Sequence, residues 1–267
     1  MSSEPVLWSV DDRGVASITL NRPEVGNAYN GALLEGLHRA LDDLERRAGI
    51  RAVVMRGPGR HFQAGADLRW IHQVAGGTAA DNVQASDLTL AAICRLDAVA
   101  LPTLALVQGA CYGGGTGLIA VCDVVVAADD AVFSIAESRW GLTAGVILPH
   151  LVDAMGARQV RRYALTGERF DAAEARRVGL VHEVVPRADL EAAGARVVEA
   201  FLGCAPRATV RTKAITRGAA RPPLDAATRE ALVAEHAATR QSEEAAEGLA
   251  AFRERRPPRW APRADGR

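Results

Sequence analysis

Residues 107–123, Val-Gln-Gly-Ala-Cys-Tyr-Gly-Gly-Gly-Thr-Gly-Leu-Ile-Ala-Val-Cys-Asp, constrain the fold of this chain more than any other stretch. An apolar run from Thr103 to Val107 reaches Gly109. Gly113, Gly114 and Gly115 then lead into a small, apolar stretch from Thr116 to Cys122. The pattern predicts a buried strand, a turn of bare backbone and a buried helix. Successive glycines let another group approach the main chain closely, and the first N–H groups of the following helix have no partner within it. Such a stretch can hold an anionic or polarised oxygen. A ligand-free strand-to-helix crossover would use the same residues, so other motifs must decide.

The flanking sequence repeats a strand, strand, helix pattern. Val6 to Val10 and Val15 to Leu20 alternate as strands about the turn Asp11-Asp12-Arg13-Gly14. Asn30 is placed to cap a helix with Leu33, Leu34, Leu37, Leu41 and Leu44 on one face, ending near Ala48-Gly49. Ala52 to Met55 reads as a buried strand, followed by a second small-residue loop, Phe62-Gln63-Ala64-Gly65-Ala66-Asp67-Leu68. The glycine-rich residues 74 to 80 suggest a mobile lid before a helix containing Leu88, Ala92, Ile93 and Leu96. Beyond the triple glycine, Val124 to Ala127 and Val132 to Ser134 read as strands. Helices dominate to about residue 165, Thr166 to Asp171 caps another helix, and Gly179 to Val185 supplies a last strand.

Three helices are expected after that, near 188–203, 206–217 and 224–254, the last breaking at Gln241-Ser242. A boundary near 200–205 divides the chain into residues 1–203 and a helical region, 204–267, whose tail from Pro257 is expected to be loosely held.

Composition narrows the function. Lys plus Arg and Asp plus Glu both number 32, so no bulk field favours nucleic acid or an anionic membrane. Arg158, Arg161 and Arg162, and later Arg253, Arg255 and Arg256, read as solvated faces or subunit contacts, with coenzyme A phosphates as alternative partners. Cys94, Cys111, Cys122 and Cys204 stand in apolar contexts without metal-ligand spacing and read as buried free thiols. Residues 1 to 20 lack the basic start and apolar run of an export signal, and no stretch of about 18 apolar residues occurs. A cytoplasmic protein, without metal and without a membrane partner, is the expectation.

There is no phosphate-binding G-x-x-x-x-G-K-[ST], no G-x-S-x-G and no H-E-x-x-H, and Leu118 breaks the dinucleotide pattern of glycines. Three spaced motifs are present. Asn21-Arg22-Pro23-Glu24 with Asn27-Ala28 is followed by Phe62 to Leu68, then by Gly113-Gly114-Gly115 with Cys122-Asp123. Ala131-Val132-Phe133, Glu137 and Gly141-Leu142 follow in turn. In order and spacing the chain resembles the crotonase superfamily, the enoyl-CoA hydratases and isomerases, over almost its whole length.

That resemblance implies an α/β fold, a crotonase-like spiral of ββα repeats with a C-terminal helical trimerisation region, assembled as a homotrimer or a dimer of trimers. It implies an acyl-CoA thioester as substrate, with coenzyme A as part of the substrate and no separate cofactor. The N–H groups of Ala66 and Gly114 would form an oxyanion hole for the thioester carbonyl. Ala28, Ala64, Asp67, Leu68, Gly113, Gly117 and Trp140 would lie along the coenzyme and substrate. Asp67 also suits the N-cap of the helix that begins there.

Hydratases of the superfamily commonly use two glutamates, whereas this chain has Gly117 at the first position and Glu137 at the second. A carboxyl among Phe133, Ile135, Trp140 and Leu142 should have its charged form disfavoured by desolvation, which moves its pKa toward the range useful for proton transfer. The same glutamate would also suit the start of a surface helix. One carboxylate fits a hydro-lyase that adds water to a 2,3-double bond, and it also fits a double-bond isomerase. A non-catalytic acyl-CoA-binding homologue is a further alternative.

Glu137 to Leu142, Ile147 to His150, Arg161 to Thr166 and Asp67-Leu68-Arg69-Trp70 look most like bacterial 3-methylglutaconyl-CoA hydratases. Such a substrate carries a distal carboxylate, for which Arg139 is the candidate cation and His150 a weaker one, a salt bridge at the surface being the other reading of Arg139. His61, beside the second loop, reads as structural.

Overall fold

The computed structural model describes residues 4–220 and 225–260. Val6–Val10 (β1) and Val15–Leu20 (β2) form the expected hairpin, antiparallel from Val6 opposite Leu20 to Val10 opposite Ala16. Asp11 closes its turn by accepting from the N–H groups of Arg13 and Val15. Asn30 caps Gly31–Arg46 (α1) through the Leu33 N–H at 2.9 Å, and Leu33, Leu37 and Leu41 of that helix are fully buried. The next turn of chain is Ala52–Arg56 (β3), Leu68–Ala75 (α2) and Ala79–Ala98 (α3). Then follow Thr103–Val107 (β4), Ala110–Tyr112 (β5) and Gly114–Ala120 (α4), and after them Val124–Ala128 (β6) and Val132–Ser134 (β7). Leu148–Met155 (α5), Ala157–Thr166 (α6), Arg169–Asp171 (β8), Ala172–Arg177 (α7) and Glu183–Val185 (β9) complete the winding.

Two sheets result. The larger has the order β1-β2-β3-β4-β6-β9, parallel after the hairpin, and the smaller is β5-β7-β8. Successive turns add one strand to each sheet, β4 with β5 and then β6 with β7. In the turn before, Gln63 makes only an isolated bridge to Cys111. This is the expected spiral of ββα repeats. Its core lies between the large sheet and the helices α1, α3 and α4, with Ile18, Met55, Ile93, Phe133 and Tyr163 sealed inside. Leu190–Gly203 (α8) covers the other face of the sheet, where Leu190, Ala193 and Val198 pack with Val54, Leu104, Leu106 and Val126.

Several elements differ from the sequence expectation. Residues 74–80 are the end of α2 and the start of α3 with only Gly76, Gly77 and Thr78 between them, and Thr78 closes a reciprocal capping box with Asp81 in the first turn of α3. The helix expected from Thr116 begins at Gly114, because Gly113 at φ +49° turns the chain directly into it. A three-residue strand, β8, precedes the helix capped by Asp171, and it is fixed by Phe170 stacking on Phe133 at 5.6 Å. Cys204 is exposed, unlike Cys111 and Cys122.

The helical end is Pro206–Ala220 (α9), Ala226–Arg240 (α10) and Glu243–Arg253 (α11), with Ser242 capping the last at the expected break. The start expected at residue 224 falls outside the described residues. Lys213 of α9 reaches Asp123 at 2.6 Å, and Asp123 also accepts from the N–H and hydroxyl of Thr103. Thus Asp123 joins α9 to the large sheet. Helix α10 lies along α3, and α11 lies on the turn at Glu137–Trp140, where Gly141 abuts Glu244 and Gly248 abuts Trp140. Glu247 holds the start of the tail by pairing with Arg256 and accepting the Arg259 N–H. Residues 261–267 of that tail lie outside the described residues. No described helix is long and apolar enough to cross a membrane.

Candidate functional site

The two small-residue loops meet. Buried Asn27, at φ +55°, donates to the carbonyls of Pro58 and His61, and Arg22 bonds the Ala28 carbonyl and Asp67. The Tyr29 N–H donates to the Gly65 carbonyl and the Asp67 N–H donates to the Tyr29 carbonyl, at 2.9 and 2.8 Å. In this bridge the intervening Ala66 turns its own polar groups away from Tyr29. Asp67 caps α2 through the Arg69 N–H and pairs with Arg22 at 2.8 Å. Burial alone would raise its carboxyl, but those partners outweigh it and hold the carboxyl below its usual value. His61 accepts the Ala110 N–H at 2.9 Å, a structural tie between the loops.

In the glycine stretch, the Gly113 N–H is taken by the Ser134 carbonyl, while Thr116 and Gly117 donate back to the Gly113 carbonyl. Among the described residues no hydrogen bond uses the N–H of Ala66 or of Gly114. Gly114 opens α4, so its N–H has no partner within that helix. A Cβ there would meet the Tyr29 ring at 2.6 Å, and one on Gly113 would meet Oε1 of Glu137 at 2.7 Å. Bare backbone is therefore required to bring these groups together.

Glu137 begins the short 3-10 turn Glu137–Trp140, which β7 delivers to the glycine turn. The residue keeps some exposed surface, yet its Oε2 is closed to solvent and has no hydrogen-bond partner among the described residues. Burial pushes this carboxyl up to about 7. Burial, and then the charge of Glu137, also raise the Tyr29 phenol well above its usual range. At neutral pH Glu137 can both accept and return a proton while Tyr29 stays neutral.

These groups line a cavity of about 670 Å³. Ala28, Ala64, Ala66, Asp67, Leu68, Gly113, Gly114, Glu137, Arg139 and Trp140 all border it. Gly117 does not. It is buried beneath α5, and a Cβ there would drive into Ile147, meeting its Cβ at 2.9 Å. The position where a first glutamate was sought points into the core. Arg139 is exposed, with its Nε on the Thr166 carbonyl at 3.1 Å, and His150 is buried near Cys94 and does not line the cavity.

Tyr29, His236 and Arg240 are among the cavity residues that escaped sequence reasoning. Tyr29 lies in a loop whose register became visible only with its bridge to Ala66. His236 and Arg240 come from α10, far along the chain, where their pattern is that of any polar helix. Both border the cavity beside Trp140, Thr143 and Phe252.

Solved structures share this architecture. An enoyl-CoA hydratase from Mycobacterium avium matches with a TM-score of 0.85 and 32% identity, covering 97% of this chain and 100% of that one. One from Shewanella pealeana matches with 0.78 and 32%, covering 96% of each. The molecule is therefore an enzyme of the crotonase fold. Residues 11–263 match the enoyl-CoA hydratase/isomerase family, and the chain belongs to it. Among curated relatives, the hydroxycinnamoyl-CoA hydratase-lyase of Pseudomonas fluorescens is 34% identical over 182 residues, 66% of this chain and 65% of that protein.

Proposed function

We propose that this enzyme reversibly adds water to the 2,3-double bond of an enoyl-CoA thioester. The observation that carries the reading is the Glu137 carboxyl, whose Oε2 is buried without a hydrogen-bond partner among the described residues and which is poised near neutrality in the same cavity as the N–H groups of Ala66 and Gly114. The thioester oxygen is received by those two N–H groups. Glu137 takes a proton from water as the water oxygen bonds to C3. The π electrons move through C2 to the thioester oxygen as an enolate, and protonated Glu137 then gives its proton to C2. Each backbone donor aimed at the developing oxyanion is commonly worth about 3 to 4 kcal/mol.

The position of Gly117 favours a second reading. With Ile147 filling that site, one carboxyl does all the proton transfer, and a single carboxyl also suffices to move a proton from C2 to C4 of a 3-enoyl-CoA, as in an isomerase. Resemblance to 3-methylglutaconyl-CoA hydratases makes an enoyl-CoA with a distal carboxylate the preferred substrate in the proposal. The test follows thioester-conjugated absorbance with crotonyl-CoA, 3-methylglutaconyl-CoA and a 3-enoyl-CoA. Hydration of either 2-enoyl thioester supports the first reading; conversion of the 3-enoyl thioester alone replaces it with the second. Tight binding without turnover of any of them leaves an acyl-CoA-binding homologue.

A further inference from the structure

Arg240 carries a charge that its described surroundings do not neutralise. It stands in the last turn of α10 with 7% of its surface exposed, and every partner of its guanidinium is neutral. Nε donates to Asn82 Oδ1 at 3.2 Å, Nη2 donates to the Asn82 carbonyl at 2.6 Å and to Ser86 Oγ, and Nη1 donates to His236 Nδ1 at 3.0 Å. A guanidinium has five N–H donors, so these bonds leave one on Nη1. Accepting from Arg240 leaves the His236 proton on Nε2. Burial first, and the adjacent Arg240 charge second, push His236 down to about 3, so it stays neutral. Among the described residues no carboxylate pairs with Arg240, and burial disfavours its charged form. A buried cation of this kind is costly unless something supplies the opposite charge.

The location says where that charge would come from. Arg240 and His236 both line the cavity that holds Glu137, and the Tyr29 phenol between the two loops feels the charges of both Glu137 and Arg240. The segment after Glu137 rests on α10: Thr143 Oγ1 lies 3.4 Å from Thr239 Oγ1, and Gly145 abuts His236. The other arginines at the cavity, Arg69, Arg139 and Arg169, are exposed. Arg139 is bonded to the Thr166 carbonyl and Arg169 lies over the Tyr112 ring.

Resting on the acyl-CoA reading of this cavity, we propose that Arg240 and His236 form an anion subsite for the far end of the acyl chain, which selects thioesters ending in a carboxylate. Arg240 supplies the charge and its remaining Nη1 donor, and His236 supplies Nε2–H. Asn82 and Ser86 of α3 hold the guanidinium in place. The role expected of Arg139 thereby passes to a residue whose charge is desolvated, where a carboxylate gains most from it.

Saturated probes separate this from the chemistry. Glutaryl-CoA and valeryl-CoA have acyl chains of equal length ending in a carboxylate or a methyl group, and neither has a double bond to hydrate. Titration calorimetry should give at least tenfold tighter binding of glutaryl-CoA to the wild type. The ratio should fall to one or below in Arg240→Met and recover in part in Arg240→Lys. A wild-type ratio near one overturns the proposal even if Arg240→Met fails to fold, and so does an unchanged ratio in a folded Arg240→Met. A lower melting temperature with an unaltered ratio would mark Arg240 as a mere pin between α10 and α3. Binding of neither thioester overturns the acyl-CoA reading as well, whereas tight binding of both with equal affinity removes the subsite alone.

Discussion

Glu137 is held in a state that opposes folding, and this gives its substitution a distinctive signature. Its carboxyl rises from 4.5 to about 7 on burial, so between these values the native chain holds more protons than the unfolded chain. Stability therefore falls as pH rises through this window, and the loss is complete above about 7. Glu137→Gln should raise stability at pH 8 by up to about 3 kcal/mol, with little gain near pH 4.5, as measured by urea unfolding at the two pH values. The same variant should lose at least about 100-fold in turnover. If Glu137 is the base of the proposed hydration, wild-type kcat/KM should rise with pH through about 7, because the carboxyl must be ionised to accept the proton of water. A Gln variant that is less stable at pH 8 would mean that the carboxylate has partners this geometry does not show. Gly117→Glu should not restore a second carboxylate: its side chain enters the space of Ile147, so a cost of about 1 to 3 kcal/mol and no gain in hydration are expected from melting and rate measurements. The apolar setting of Glu137 was legible in Phe133 and Ile135, its near neighbours in sequence. The filling of the Gly117 site was not, since Ile147 arrives from the N-cap of α5, a distant segment, and nothing local to Tyr29 or Arg240 marks a residue brought to the cavity by long-range packing.

Elements with a local cause were the ones that could be read in advance. The hairpin has its alternation and its Asp11 turn, and α1 has an Asn30 cap and a leucine stripe. The isolated bridge at Gln63 and the short strand Arg169–Asp171 depend on partners distant in sequence, Cys111 and Phe133, and left no periodicity to read. The glycines at 76 and 77 looked like a lid because composition resembles a loop, but Thr78 and Asp81 stop the chain there with a cap and start α3. That cap bears on the site, since Asn82 lies in the first turn of α3, donates to the Val74 and Thr78 carbonyls, and accepts from Arg240. Thr78→Ala should cost about 1 kcal/mol, the usual worth of an N-cap, and speed exchange of the amides near 81 and 82. Unchanged exchange there would mean that α10, not the capping box, holds the start of α3.

At the scale of the molecule, the expected division into residues 1–203 and 204–267 falls between two helices, α8 and α9, and the cavity crosses it. His236, Arg240 and Phe252 come from the helical end; Ala66, Gly114 and Glu137 come from the spiral. Helix α10 buries Val233 and Ala237 as well as Arg240, α9 places Lys213 on Asp123, and Phe252 of α11 meets the Trp140 ring edge-on at 4.5 Å. These contacts tie each C-terminal helix to a different turn of the spiral, so separate unfolding would strand Arg240 and Lys213 without partners. A single cooperative transition in urea is expected, with far-ultraviolet circular dichroism and Trp140 fluorescence coinciding, the latter isolated by replacing the other tryptophans with phenylalanine. Trp140 is the informative probe because it borders the cavity and touches α11, whereas dichroism averages over the whole chain. If its signal changed at lower urea than the dichroism, α10 and α11 would be a separable wall, and the acyl end of the cavity would open without loss of the spiral. If the transitions coincide, the helical end is part of the unit that forms the site, and ending the chain after residue 203 should abolish acyl-CoA binding together with cooperative folding.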